Sequence, residues 1–322
     1  MIAASHINQL WMRKPQLIVI VFLLVAFCSA QQPAWQPAPG HLTLLLWPHG
    51  APGAQPNLPA EVNQSTSKND IAGKSVFILA NVSRPTITLY QPDKNPDGRA
   101  IVVFPGGGYR ILAIDLEGTE VCQWLNSIHV ACILLKYRVP NTGTYPKSSA
   151  ALQDAQRAFG MVRQHAAEWH INPRRIGVLG FSAGANLAAT LSTHFDKRLY
   201  DALDSADQLS CRPDFQLILY PAYFVFEAPN FPPDPNIHPD SQTPPAFILQ
   251  AEDDPIHVEN AILYFSELKD AKVSAELHIY AKGGHGFGLR QTELNITHWP
   301  ELAEKWMTTI LVANSEVISS KK

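Results

Sequence analysis

The sequence predicts an α/β protein, a mostly parallel, doubly wound sheet flanked by helices. Three observations lead there. Short apolar runs such as Ala100-Ile101-Val102-Val103-Phe104 and Ala131-Cys132-Ile133-Leu134-Leu135 have the continuous hydrophobicity of strands buried on both faces. Stretches of helical periodicity lie between such runs, and this alternation implies parallel strands joined by crossover helices. Glycine-rich turns follow several runs, at the strand ends where open α/β sheets bind their ligands. At 322 residues with 46% hydrophobic residues, the chain is long enough for one large domain with a substantial core. A net charge of −3 with no basic cluster gives no reason to expect a nucleic-acid partner.

The N-terminus carries Arg13-Lys14, an apolar run over residues 17–27, and Cys28-Ser29-Ala30 before Gln31-Gln32-Pro33. A basic region, a short apolar region and small residues before a cut describe a signal peptide over residues 1–30. Cleavage near Ala30 and a secreted or periplasmic product are expected. The apolar run is short for a membrane span, so no stable membrane partner is expected, with an uncleaved anchor as the alternative. Phe27 stands where lipoprotein processing at Cys28 would favour a small residue.

Residues 31–70 are rich in proline and glycine, including Trp47-Pro48-His49-Gly50-Ala51-Pro52-Gly53-Ala54. They are expected to form an arm along the body, with residues 42–46 adding an edge strand. Residues 61–74 are polar and read as a loop. Thr86-Ile87-Thr88-Leu89-Tyr90 alternates as a half-exposed strand does, and the proline and aspartate turn at 92–98 closes it. The strand at 100–104 ends in Pro105-Gly106-Gly107-Gly108-Tyr109. Three consecutive glycines are costly to order, which points to backbone exposed for a purpose, a plain tight turn being the alternative. Residues 117–127 read as helix and 131–137 as a buried strand. Residues 149–165 read as a long amphipathic helix with Leu152, Ala155, Phe159 and Val162 on one face. Further strands are expected at 175–179, 215–220, 246–250 and 275–280, and a closing helix at 299–315. Residues 221–245 form a long proline-rich insertion, expected to wall a cleft, although its aromatic residues at 223–226 read equally as core cover. Cys122, Cys132 and Cys211 remain once the leader is removed. So few do not make a disulfide framework, and buried thiols are expected.

The chemistry is concentrated at strand ends. Arg175-Ile176-Gly177-Val178-Leu179 runs into Gly180-Phe181-Ser182-Ala183-Gly184 and then into the helical Asn186-Leu187-Ala188-Ala189-Thr190-Leu191. In a strand-turn-helix elbow of this kind, small residues flank the serine because larger ones would strike the neighbouring strand or helix. The turn lifts the hydroxyl clear of the sheet and sets free N–H groups beside it. Ser182 is therefore the candidate nucleophile; the five-residue pattern alone is frequent, and its context gives it weight. A serine hydroxyl needs a base to take its proton, and the base needs a carboxylate to orient it. Glu252-Asp253-Asp254-Pro255 follows one later strand and Gly283-Gly284-His285-Gly286-Phe287-Gly288 follows the next, in the order serine, acid, histidine. His285 is the candidate base among twelve histidines, because its glycines let the loop fold close over Ser182. Asp254 is the candidate acid, since the proline after it begins the turn away from the sheet, with Asp253 as the alternative. Gly107, Gly108 and Ala183 are candidate donors to a developing oxyanion. The adjacent acids lack the second half of a metal site or of a glycosidase carboxylate pair, so neither metal nor organic cofactor is expected.

Taken together, Pro105-Gly106-Gly107-Gly108-Tyr109, Glu117-Gly118, Leu135-Lys136-Tyr137-Arg138-Val139-Pro140, Asp154-Ala155-Gln156-Arg157-Ala158, the elbow and residues 283–288 resemble secreted bacterial carbohydrate esterases of the α/β-hydrolase superfamily. These are the acetylxylan-esterase-like and feruloyl-esterase-like proteins, and the likeness runs from about residue 44 to the C-terminal helix. It implies an α/β-hydrolase fold with residues 71–322 as catalytic domain, and a triad of Ser182, His285 and Asp254 with the three oxyanion donors named above. It also implies cleavage, through an acyl-enzyme, of short acyl esters, acetyl first, on plant carbohydrate such as xylan. A general carboxylesterase acting on small soluble esters is the alternative, and a non-catalytic binding protein of the same fold is more remote. Two departures stand out. Related chains often continue the elbow as Gly-Gly-His where this one has Gly184-Ala185-Asn186, and Pro105 stands where lipase-like esterases carry histidine. Substrate-binding residues are left unassigned.

Overall fold

Parallel strands must be covered on both faces, and the apolar runs of this chain meet that demand in one eight-stranded sheet. The computed structural model describes residues 34–66, 68, 70–140, 149–226 and 230–319; the expected leader lies outside them. The strands are β1 (Leu42–Leu45), β2 (Val62–Asn63), β3 (Ile78–Ala80), β4 (Thr86–Tyr90), β5 (Ala100–Phe104), β6 (Ile111–Ala113), β7 (Ala131–Lys136), β8 (Ile176–Phe181), β9 (Gln216–Leu219), β10 (Ala246–Ala251) and β11 (Ala275–Tyr280). The helices are α1 (Glu120–Ser127), α2 (Ser149–Gln164), α3 (Ala183–Thr193), α4 (Glu259–Asp270) and α5 (Trp299–Ser319).

The sheet order is β1-β4-β7-β5-β8-β9-β10-β11. From β7 to β11 all neighbours are parallel, while β4 pairs antiparallel with β7 and β1 antiparallel with β4. Strands β5, β8, β9 and β10 lie inside the sheet and are buried along their whole length, whereas the edge strand β11 is half exposed. The core runs the length of the sheet under the helices, with Phe104, Phe181, Phe247 and Trp299 among its largest members.

Four expectations need correction. The segment 61–74 is not all loop: β2 pairs with β3, and β3 with β6, in a separate three-stranded antiparallel sheet. Strands this short leave no periodic trace in sequence. β4 is buried at every position rather than half-exposed, because it lies between β1 and β7 and packs into the core on both faces. The helix expected from residue 117 begins as a wide turn over Asp115–Thr119, and α1 proper starts at Glu120. Finally, Cys122 and Cys132 are not separate thiols. α1 packs against β7, which brings their Cα atoms to 5.1 Å, and they form a disulfide; Cys211 is a buried free thiol.

The arm is fastened to the body by buried polar contacts. Trp47 donates its indole N–H to Asp154 on α2 at 2.7 Å, and the same carboxylate accepts the backbone N–H and guanidinium of Arg138. The guanidinium in turn donates to the carbonyl of Pro52 at 2.6 Å. Burial pushes the Asp154 carboxyl up and Arg138 opposes that, so each buried charge has its counter-charge. Further along, Arg290 bridges Glu120 and the carbonyls of Ile71 and Ser75, holding the start of the domain against α1.

Candidate active site

The three polar residues singled out in the sequence come from three different strand ends and meet there. Ser182 follows β8 with φ 52° and ψ −118°, a left-handed conformation that only the surrounding structure can impose. The flanking glycines have a steric cause. A Cβ on Gly180 would lie 2.1 Å from the carbonyl of Gly184, and one on Gly184 would lie 2.1 Å from the carbonyl of Phe104. The turn is also tied to its neighbour strand, since the Ser182 N–H donates to Leu219 at 3.0 Å.

His285 lies over the elbow. Its Nε2 is 2.9 Å from Ser182 Oγ and its Nδ1 is 2.8 Å from Asp254 Oδ2. Asp254 is 4% exposed; its Oδ1 accepts the Ile256 N–H at 2.7 Å, and its Oδ2 also accepts the Gln250 amide at 3.1 Å. Asp253 takes a different position. Its Oδ1 accepts the N–H groups of Gly283 and Gly284 at 2.9 and 2.8 Å, and these bonds hold its carboxyl below the usual carboxylate range. The neighbouring acid thus clamps the loop on which His285 is carried.

The glycine loop after β5 faces the same point. Gly107 and Gly108 line the Ser182 cleft, and their N–H groups meet no acceptor among the described residues. Ala183 opens α3, where first-turn N–H groups have no partner within the helix. Gly106 behaves differently, donating its N–H to Glu117 Oε2 at 2.6 Å.

Glu117, of the Glu117-Gly118 pair, lies at the back of the site. It is 3% exposed, accepts the Tyr220 hydroxyl at 2.7 Å through Oε1, and through Oε2 anchors the glycine loop. The Tyr220 hydroxyl in turn accepts the Gly288 N–H at 3.2 Å, and the Tyr220 ring lies edge-on to His285 at 5.1 Å. Burial pushes the Glu117 carboxyl up, and the hydrogen bonds from Tyr220 and Gly106 oppose that. One carboxylate therefore braces the glycine loop and, through Tyr220, the histidine loop. Nothing local in the sequence set it apart from Asp115 and Glu120 on either side.

Asn186 accepts the Tyr109 hydroxyl at 2.8 Å and donates to the carbonyl of Tyr223 at 3.2 Å. It links the glycine loop to the insertion after β9. The whole arrangement opens into a cleft of about 720 Å³, whose walls include Ile78 and Ile111 of the small sheet, Arg110, and Tyr223 and Ile256. A hydroxyl, an imidazole and a carboxylate in hydrogen-bonded line, beside free N–H groups, can activate an oxygen nucleophile and receive an oxyanion.

A mostly parallel sheet, a strained serine elbow after its central strand and a histidine loop beyond the last strand define the class. The chain belongs to the α/β-hydrolase fold family, whose pattern matches residues 101–240. It is similar to the acetylxylan esterase of Xylanibacter ruminicola, at 31% identity over 247 residues, covering 69% of this chain and 48% of that protein. It is also similar to endo-1,4-beta-xylanase B of Butyrivibrio fibrisolvens, at 26% identity, covering 65% of this chain and 35% of that one. The chain thus spans about half, or less, of the length of these two curated relatives. Among solved structures, the acetyl ester-xyloside bifunctional hydrolase from Caldicellulosiruptor lactoaceticus matches with a TM-score of 0.63 and 34% identity, covering 84% of this chain and 96% of that one.

Proposed function

We propose that this chain is an exported serine esterase that removes short acyl groups, acetyl first, from plant cell-wall carbohydrate such as xylan. The observation that carries this reading is the hydrogen-bonded line from Asp254 through His285 to Ser182, beside the free N–H groups of Gly107 and Gly108. Similarity to an acetylxylan esterase and to an acetyl ester-xyloside hydrolase supports the substrate class.

Ser182 Oγ attacks the ester carbonyl carbon while His285 Nε2 takes its proton, and the carbonyl oxygen becomes an oxyanion held by the N–H groups of Gly107, Gly108 and Ala183. Collapse breaks the bond to the alcohol oxygen, which leaves with the proton from His285. Water then repeats the sequence, giving its proton to His285 as it attacks the acyl carbon. Ser182 departs, recovers that proton, and the free acid is released. Asp254 fixes the imidazole tautomer and stabilises the imidazolium in both halves. Export is supported by the Cys122 to Cys132 disulfide, since such bonds persist in oxidising compartments. Among the described residues no helix is long and apolar enough to cross a membrane.

Acetate release from acetylated xylan, set beside hydrolysis of p-nitrophenyl acetate and longer acyl homologues, tests the reading. Wild-type protein is expected to release acetate from the polymer, and Ser182→Ala to lose roughly 10⁴-fold or more of kcat/KM. Cleavage of small esters alone would favour a general carboxylesterase, and full activity in Ser182→Ala would remove Ser182 from the mechanism.

A further inference from the structure

The cleft does not end at Ser182. Tyr223 and Ile256 border both it and a second hollow of about 340 Å³. Two loops build this hollow: the insertion after β9 and the turn after β10 that also carries Asp254. Within the insertion, residues 224–226 and 232–234 pair antiparallel. Phe226 N–H donates to Pro232, Asp234 N–H donates to Phe224, both at 2.8 Å, and Val225 bridges antiparallel to Pro233. Buried Asn260 on α4 joins the two walls. Its Oδ1 accepts the N–H groups of Phe224 and Val225 at 2.8 and 3.2 Å, and its Nδ2 donates to the carbonyls of Ile256 and His257 at 2.6 and 2.8 Å. The hollow is therefore held in shape before any ligand arrives.

Its surface combines three kinds of group. Asp234 is 8% exposed; Oδ1 accepts the Asn236 N–H at 3.0 Å, and Oδ2 takes no hydrogen bond from the described residues. The His257 ring leans on Phe231 at 4.9 Å, and its nitrogens bond to no described group. Phe226 is 53% exposed.

We propose that this hollow is the subsite for the alcohol half of the ester, and that it takes a neutral pyranose ring. The inference rests on the esterase reading and adds the residues that choose the alcohol. A carboxylate oxygen accepts a sugar hydroxyl, a neutral imidazole both donates and accepts, and an exposed ring covers the apolar C–H face of a pyranose. An aliphatic chain in the same place would strip water from Asp234 and return no hydrogen bond, which disfavours it there. The negative charge of Asp234 likewise disfavours an anionic alcohol. A small ester such as p-nitrophenyl acetate reaches Ser182 without drawing on the carboxylate.

The test compares Phe226→Ala and Asp234→Asn with the full-length wild type on an acetylated xylo-oligosaccharide and on p-nitrophenyl acetate. Phe226 is exposed and Asp234→Asn keeps shape and the Oδ1 acceptor, so both variants fold. Each is expected to lose about tenfold or more of kcat/KM on the oligosaccharide while staying within about twofold on p-nitrophenyl acetate. Calorimetric binding of the same oligosaccharide to Ser182→Ala, with and without Phe226→Ala, reads the subsite without chemistry, and a matching loss of affinity is expected. Equal effects on both substrates, or oligosaccharide binding indifferent to Phe226→Ala, would overturn the subsite alone. A wild type that cleaves neither substrate would overturn the esterase reading, which the binding experiment keeps separate.

Discussion

Asp253 and Asp254 are consecutive and chemically identical, yet they meet different partners. Asp254 receives the imidazole of His285, while Asp253 receives two backbone N–H groups of the loop that carries it. Asparagine at 254 presents an amide to His285 Nδ1 and favours the wrong tautomer, so Asp254→Asn is expected to lower kcat roughly 10⁴-fold. Asparagine at 253 keeps a carbonyl oxygen able to accept both N–H groups, so Asp253→Asn is expected to stay within about tenfold of wild type. Steady-state kinetics on p-nitrophenyl acetate reads both, and a larger loss at 253 than at 254 would exchange their roles. The sequence left both acids open because one step along a loop reverses where a side chain points, and no local pattern records that step.

At the scale of elements, loops that are far apart in sequence share one buried acid. Glu117 joins the loop after β5 to the residue after β9, and through Tyr220 to the loop after β11. Its carboxyl is raised by burial, so the folded chain holds the proton at pH values where the unfolded chain has released it. The stability from this difference is fully present below the unfolded value of about 4.3 and is lost as pH rises through the raised folded value. Glu117→Gln does not titrate. The melting temperature of wild type minus that of Glu117→Gln should therefore fall across that window and level off above it; a difference flat with pH would contradict the assignment. The long strands and helices were legible because burial on both faces writes continuous apolar runs and amphipathic helices write a period. β2, β3 and β6 were not legible, being too short for either mark. The serine elbow and the glycine loop were legible because close backbone approach dictates glycine at Gly180, Gly184 and Gly107, and the histidine loop because Gly284, Gly286 and Gly288 adopt positive φ. Glu117, Asn186 and Asn260 were not, since their partners are fixed only once separate loops have met.

Across the whole molecule, the disulfide is the clearest case of a feature set by assembly. Spacing alone gave no reason to pair Cys122 with Cys132, and it is the packing of α1 on β7 that closes them, at a sequence separation of 10. A loop of that size restricts the unfolded chain by about 3 kcal/mol on a chain-entropy account. Replacing both cysteines with alanine is expected to lower the melting temperature by on the order of 5 °C, and reductant to act on wild type but not on the variant. Identical melts with and without reductant would mean that the bond contributes nothing. The sheet has one further property with consequences of another kind. β9 and β10 pair from Gln216 with Ala246 to Leu219 with Leu249, and the insertion whose residues 224–226 and 232–234 wall the second hollow lies between the two strands in sequence. Its length and composition can change while the strand register that carries Ser182, Asp254 and His285 stays as it is. On the proposed subsite, descent can rewrite what such a protein accepts without disturbing how it reacts, and the insertion is the cassette to transplant between relatives when a new substrate is wanted.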